Sequence, residues 1–157
     1  MKAKRNDDVD NLEAVRNYFN QGGTLHALMD VSLDDLDVIY AYACQLFKSA
    51  DYPAAKRYYM LLTNLCHWQY DYWLALGLCC QRLEEHDEAI FSLVKAALLR
   101  LDDPQPVYLA GISYRLIGNL EQAHKAFQGA LKWCSNKSQY DAIKTEVLYQ
   151  LSLMENM

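Results

Sequence analysis

Five cysteines (Cys44, Cys66, Cys79, Cys80, Cys134) and four histidines (His26, His67, His86, His124) carry the most reactive side chains of this chain. Their spacing decides what they can do. No two cysteines form Cys-x-x-Cys, and Cys66-His67 is the only Cys/His neighbour pair. A metal needs several ligands at short fixed spacings, so no metal site is expected. Cys79 and Cys80 would point about 100° apart on a helix, so they read as packed thiols rather than one reactive site. His86 is expected in a solvated turn between helices, and His124 packed on a helix. The acidic run Glu84-Glu85-His86-Asp87-Glu88 spans a helix end and the next helix start, where acids complement the helix dipole. It reads as a capped turn rather than a catalytic carboxylate pair. No Gly-x-Ser-x-Gly, Walker or Gly-x-Gly-x-x-Gly pattern occurs, and Gly22-Gly23 is too little glycine for a phosphate cradle. These absences point to a protein that is not an enzyme and needs no cofactor.

The chemistry therefore has to be binding, and composition narrows what is bound. The chain has 157 residues, 52% hydrophobic, enough for one domain with a sizeable core. Lys and Arg number 15 against 20 Asp and Glu, a net charge of −5, and no basic stripe exceeds Lys2, Lys4 and Arg5. Nucleic acid is not an expected partner. The least charged stretch, Tyr58 to Gln81, holds Asn64, His67, Gln69 and Asp71, so it does not read as a membrane span. MKAKRNDDVDN at the start has no apolar segment after its basic residues, so no signal peptide is expected. An odd number of cysteines without Cys-x-x-Cys reads as reduced thiols in a cytoplasmic protein.

One register organises the chain. Gly77 and Gly111 are 34 residues apart, preceded at the same offset by Ala43. Ala55, Ala89 and Ala123 repeat at 34, as do Tyr59, Leu93 and Phe127. Trp73-Leu-Ala-Leu-Gly-Leu-Cys-Cys80 followed by Ala89 resembles the tetratricopeptide repeat, a helix–turn–helix unit of this length. The fold class is all-α: a solenoid of three such units at 36–69, 70–103 and 104–137, with a helical arm at 1–35 and a capping helix at 138–157. The small columns sit where helices cross, and the large column is expected to fill the space between neighbouring repeats.

Local signals agree. Ser32 with Asp35 reads as a capping box, Pro53 suits a first helical turn, and Gly118-Asn119 reads as a turn. Val9, Leu12, Val15 and Phe19 form one stripe ended by Gly22-Gly23, with a short helical turn over Thr24 to Met29. That stripe packs on the stack, on a second copy (a homodimer contact through Leu12, Val15 and Phe19) or on another partner. Ile143, Val147, Leu148 and Leu151 give the last helix its apolar face.

In tetratricopeptide proteins the first helix of each repeat lines a concave face at set positions. Carried over, these are Asp37, Tyr40, Cys44 and Phe47, then Asp71, Leu74, Leu78 and Gln81, then Gln105, Tyr108, Ile112 and Arg115. Its middle is apolar and Arg115 is its only basic residue, which disfavours clamping a terminal carboxylate and favours an extended apolar guest. Burial under a terminal helix of the same chain would also account for such a face.

The chain resembles the class II type III secretion chaperones over about residues 20 to 137. The marks are Gly22-Gly23-Thr24-Leu25, the run from Ser32 to Ala43, Tyr52-Pro53-Ala54-Ala55, Trp73 to Gln81, and Asp103-Pro104-Gln105-Pro106. The resemblance implies a bacterial cytoplasmic chaperone. Such a protein keeps hydrophobic translocator proteins soluble before export, without ATP, with an extended client segment in the groove. Some members also assist a transcriptional activator, so a regulatory scaffold binding such an activator or another folded partner is the competing reading.

Overall fold

The computed structural model describes residues 3–157, with side chains from Leu12 onward; Val9 of the N-terminal stripe therefore lies outside the described side chains. Among the described residues every regular element is helical. The arm holds α1 (Ala3–Asn20) and α2 (Leu25–Leu28). Three helix pairs follow: α3 (Leu33–Lys48) with α4 (Tyr52–Leu65), α5 (Tyr70–Arg82) with α6 (His86–Leu99), and α7 (Pro104–Leu116) with α8 (Leu120–Cys134). A 3-10 turn at Ser138–Tyr140 leads into α9 (Asp141–Glu155). Each helix packs on its sequence neighbour from α3 to α9, and α5 also touches α7, so the stack grows one pair at a time.

The turn inside each pair is the same object three times. Ala50, Glu84 and Gly118, spaced by the repeat length, adopt φ of 61°, 60° and 80°. The following amide bonds back to a carbonyl five residues earlier: Asp51 to Leu46, Glu85 to Cys80 and Asn119 to Tyr114, each at 2.9 Å. This is the left-handed helix ending that glycine favours, and only the third repeat supplies glycine. Asp51 and Asn119 then cap the next helix by accepting from Ala54 N and Gln122 N at 3.2 Å. Glu85 stands in the same column without capping α6, because its carboxylate is spent on Lys56. Ser32 and Asp35 form the expected reciprocal capping box at the start of α3.

The core follows the repeat columns. Ala43, Ala55, Ala89 and Ala123 are fully buried, as are Leu93 and Phe127, with Tyr59 nearly so. A Cβ built on Gly77 would lie 2.6 Å from Leu93 Cγ, and one on Gly111 2.7 Å from Phe127 Cε1. Both contacts lie inside one repeat. The large column therefore works against the small residue of its own first helix, while Tyr59 and Leu93 share one buried cluster with residues of all three repeats. Further along, Ile143, Leu151 and Met154 of α9 pack around buried Val147 against Phe127 and Ala130, whereas Leu148 is exposed instead of joining that face.

Gly111→Ala is expected to destabilise the fold by about 1–3 kcal/mol through overpacking. Gly129→Ala, whose new Cβ would meet only Val107 at 3.8 Å, should stabilise α8 by up to about 1 kcal/mol. Ala50→Gly should also stabilise, by roughly 0.5–1 kcal/mol, by relieving the left-handed turn. Urea unfolding followed by circular dichroism measures all three signs.

Candidate functional site

The first helices α3, α5 and α7 place the nine candidate partner-binding residues in one partly open band. Tyr40, Cys44, Phe47, Leu74, Leu78, Gln81, Tyr108, Ile112 and Arg115 are all half-buried, neither core nor free surface. Aromatic packing fixes the start of the band. The Tyr40 ring lies 5.3 Å from Tyr72 of the next repeat and 6.1 Å from Tyr59 of its own. Tyr59 donates its hydroxyl to Cys44 Sγ at 3.5 Å, and Phe47 meets Tyr52 edge-on at 5.1 Å. Burial, followed by the neighbouring Cys44, raises the phenols of Tyr40 and Tyr59 well above the ordinary tyrosine value. They remain neutral donors with apolar faces.

The band is not uniform. Leu78, midway along, is half-buried and joins neither buried cluster, unlike Tyr40, Leu74, Tyr108 and Ile112. Tyr108 and Ile112 instead pack into the C-terminal cluster around Val147, partly under the chain's own last helix. Gln81 has spent its amide donor on α7, bonding Leu109 O at 2.7 Å and Ser113 Oγ at 2.8 Å. It locks the second repeat to the third. Arg115 holds its Nε buried without a hydrogen-bond partner, and Asp37 and Asp71 are exposed. The sequence did not single out Tyr72, which is 5% exposed and carries the Tyr40 contact; its aromatic type one residue before Trp73 was the available signal.

The reactive residues fall elsewhere. Cys66, Cys79, Cys80 and Cys134 are buried, Cys44 is half-buried, and all five are free thiols. Burial pushes the Cys79 thiol from 9.0 up to about 11 and the Cys80 thiol up to about 12. Cys80 Sγ and one oxygen each of Glu85 and Glu88 lie within 4.8 Å of one another, but Lys56 binds both carboxylates. The ammonium already supplies the positive charge a cation would bring. His86 is not a solvated turn residue: it opens α6, half-buried, with Nδ1 3.3 Å from Ser113 Oγ. His124 is exposed rather than packed.

On α1, Leu12, Val15 and Phe19 are exposed. The arm is tied down at its far end, where Trp68 Nε1 donates to Gly22 O at 3.0 Å and Tyr18 donates to Thr24 O at 2.9 Å. Among the described residues, no helix is long and apolar enough to cross a membrane.

Comparison with known proteins places this arrangement. A chain from a type III secretion complex of Aeromonas hydrophila superposes with a TM-score of 0.87 at 26% identity, covering 92% of this chain and 96% of that one. The Yersinia enterocolitica type III secretion chaperone SycD, solved with a peptide of the translocator YopD, superposes with a TM-score of 0.76 at 26% identity, over 79% of this chain and 95% of that one. The chain is similar to the type III secretion translocator chaperones. A sequence relative, low calcium response locus protein H of Yersinia pestis, is 24% identical over 155 residues, 99% of this chain and 92% of its own length. No protein-family model matches the chain. SycD is a chaperone, and the half-buried aromatic band agrees with a binding role.

Because Cys79 and Cys80 are protonated and enclosed, Cys44 should be the first thiol modified by iodoacetamide in the folded protein, with the other four protected until unfolding. Mass spectrometry of partially labelled protein reads the order. The raised thiols also set a sign. A folded value above the unfolded one contributes stability that is present below pH 9 and is lost as pH rises toward about 12. Urea midpoints measured between pH 8 and 11 should fall, and fall less in Cys80→Ala.

Proposed function

We propose that this protein is a bacterial cytoplasmic chaperone that holds the hydrophobic translocators of a type III secretion system soluble before export. Its work is binding, with no chemical step. An extended apolar segment of the client lies along α3, α5 and α7, with Leu78 as the central anchor, Tyr40 and Leu74 to one side and Ile112 to the other. The observation that carries the reading is this half-buried apolar band on a fold similar, over 79% of the chain, to the type III secretion chaperone SycD.

The physics suits the task. A translocator must later enter a membrane, so its apolar segments aggregate or insert if left exposed. Binding alone lowers the free population of such a segment, and no nucleotide is required. The tyrosines offer flat apolar faces that lose little freedom on binding. The exposed stripe of Leu12, Val15 and Phe19 on α1 would be the contact with a second copy.

Leu78→Glu is expected to weaken binding of the YopD peptide by about 2 kcal/mol or more, because it sets a charge in the apolar band. Leu78→Met should bind like the wild type. Fluorescence anisotropy gives both constants, and circular dichroism verifies that each variant is folded. Equal binding by the folded Glu variant would remove this band from the mechanism.

A further inference from the structure

Two surface columns of the second helices break their pattern in the middle repeat. One reads Arg57, Phe91, Lys125 and the other Asn64, Leu98, Lys132. The outer repeats place polar or charged residues there, and the middle repeat places large apolar ones. Most of each side chain lies in water: Phe91 is 59% exposed and Leu98 64%.

Both stand over a cleft between α4 and α6, floored by α5. Its larger part, about 400 Å³, is lined by Met60, Trp73, Leu76, Cys80 and Phe91 among others. A second part of about 240 Å³ continues past Trp73 to Trp68, Leu98 and Leu99. Trp73 is the wall they share. It is held by its indole N–H on His67 O at 2.9 Å and meets Phe91 edge-on at 6.1 Å. On α5 these lining residues lie roughly 130° around the helix from Leu74, Leu78 and Gln81, so the cleft is separate from the band described above. One repeat further on, Met60, Trp73 and Phe91 become Val94, Val107 and Lys125, so the apolar cleft is made once.

The rim of the larger part is acidic, whereas the smaller part carries Lys95, whose ammonium lies 5.4 Å over the Phe91 ring. Asp87 and Glu88 line that rim, and Glu84 and Glu85 stand beside them. Among the described residues Lys56 alone forms ion pairs with this group, taking Glu85 and Glu88, and leaves Glu84 and Asp87 unmatched. A guest here must bring apolar bulk for two adjoining pockets and positive charge for the rim.

We propose that this cleft docks a segment of a second protein that carries two bulky apolar side chains flanked by Lys or Arg. The apolar side chains enter on either side of Trp73, and the cation meets Asp87 and Glu84. A segment flanked by carboxylates is repelled by the same rim.

The test is selection of random 16-residue peptides displayed on phage against the full chain carrying Leu78→Glu, with counter-selection against a folded Asp87→Lys/Phe91→Ser variant. Enriched sequences should carry two large apolar residues with adjacent Lys or Arg. As synthetic peptides they should bind wild type and Leu78→Glu equally, and Asp87→Lys/Phe91→Ser at least tenfold more weakly. Replacing their basic residues by Glu should also cost at least tenfold. No enrichment, enriched sequences without positive charge, or binding indifferent to Asp87→Lys/Phe91→Ser would overturn the proposal. So would sedimentation showing that Phe91→Ser/Leu98→Ser turns a dimer into a monomer, since the occupant would then be a second copy.

Discussion

At Gly77 and Gly111 the side chains of Leu93 and Phe127 press so closely on the backbone that a methyl group would lie within 2.7 Å of them. This contact sets how near the two helices of a repeat can come. Ala89 and Ala123 are fully buried on the partner helices and add no bulk that would force them apart. Once a pair is fixed at that separation, its next neighbour has one place to pack. Gln81 then bonds α5 to α7, and Tyr70 donates to Asp103 at 2.9 Å across the end of α6. The half-buried band is a consequence of this geometry. First helices held side by side leave their outward residues half-buried, close enough to be ordered and open enough to be touched.

Most of the fold was legible because these constraints repeat. A column of small residues at one spacing and of large ones at the same spacing has few explanations, and the helix ends at Pro53, Gly118 and Ser32 carry their own chemistry. Which neighbour a column meets was not legible. Periodicity says that Leu93 and Phe127 are equivalent, but only coordinates show that each presses on the glycine of its own repeat. The positive-φ turns at Ala50 and Glu84 were hidden for a related reason: neither residue favours that conformation, and the bond from the following amide, together with the packing on either side, imposes it.

The candidate band was legible as a set of positions and not as a set of environments. Leu78, Tyr108 and Gln81 all fall at face-lining positions of the repeat, yet one joins neither buried cluster, one is packed beneath α9 and one is tied to Ser113. The difference comes from what lies beyond each repeat. α9 follows the third repeat and packs on it, whereas the middle repeat is flanked by full repeats on both sides. A repeat pattern predicts average surroundings, and the ends of a solenoid are where the average fails.

The two faces of the protein differ in what recurs from repeat to repeat. In a repeat stack, residues that hold the fold recur in every copy, because every copy needs them. Residues that serve a partner need not recur, because the partner touches particular places. Gly77 and Gly111 recur; Phe91 and Leu98 do not, and each stands exposed where the neighbouring repeats carry charge or amide. Leaving that much apolar surface in water lowers solubility and adds nothing to packing, so the fold gives no reason to keep it. The inner band is also unequal along its length, and Leu78, its one apolar residue outside both buried clusters, lies in the same middle repeat. A client held on one side of α5 and a basic, apolar segment on the other would share the rigid element that both Gln81 and Trp73 fix in place.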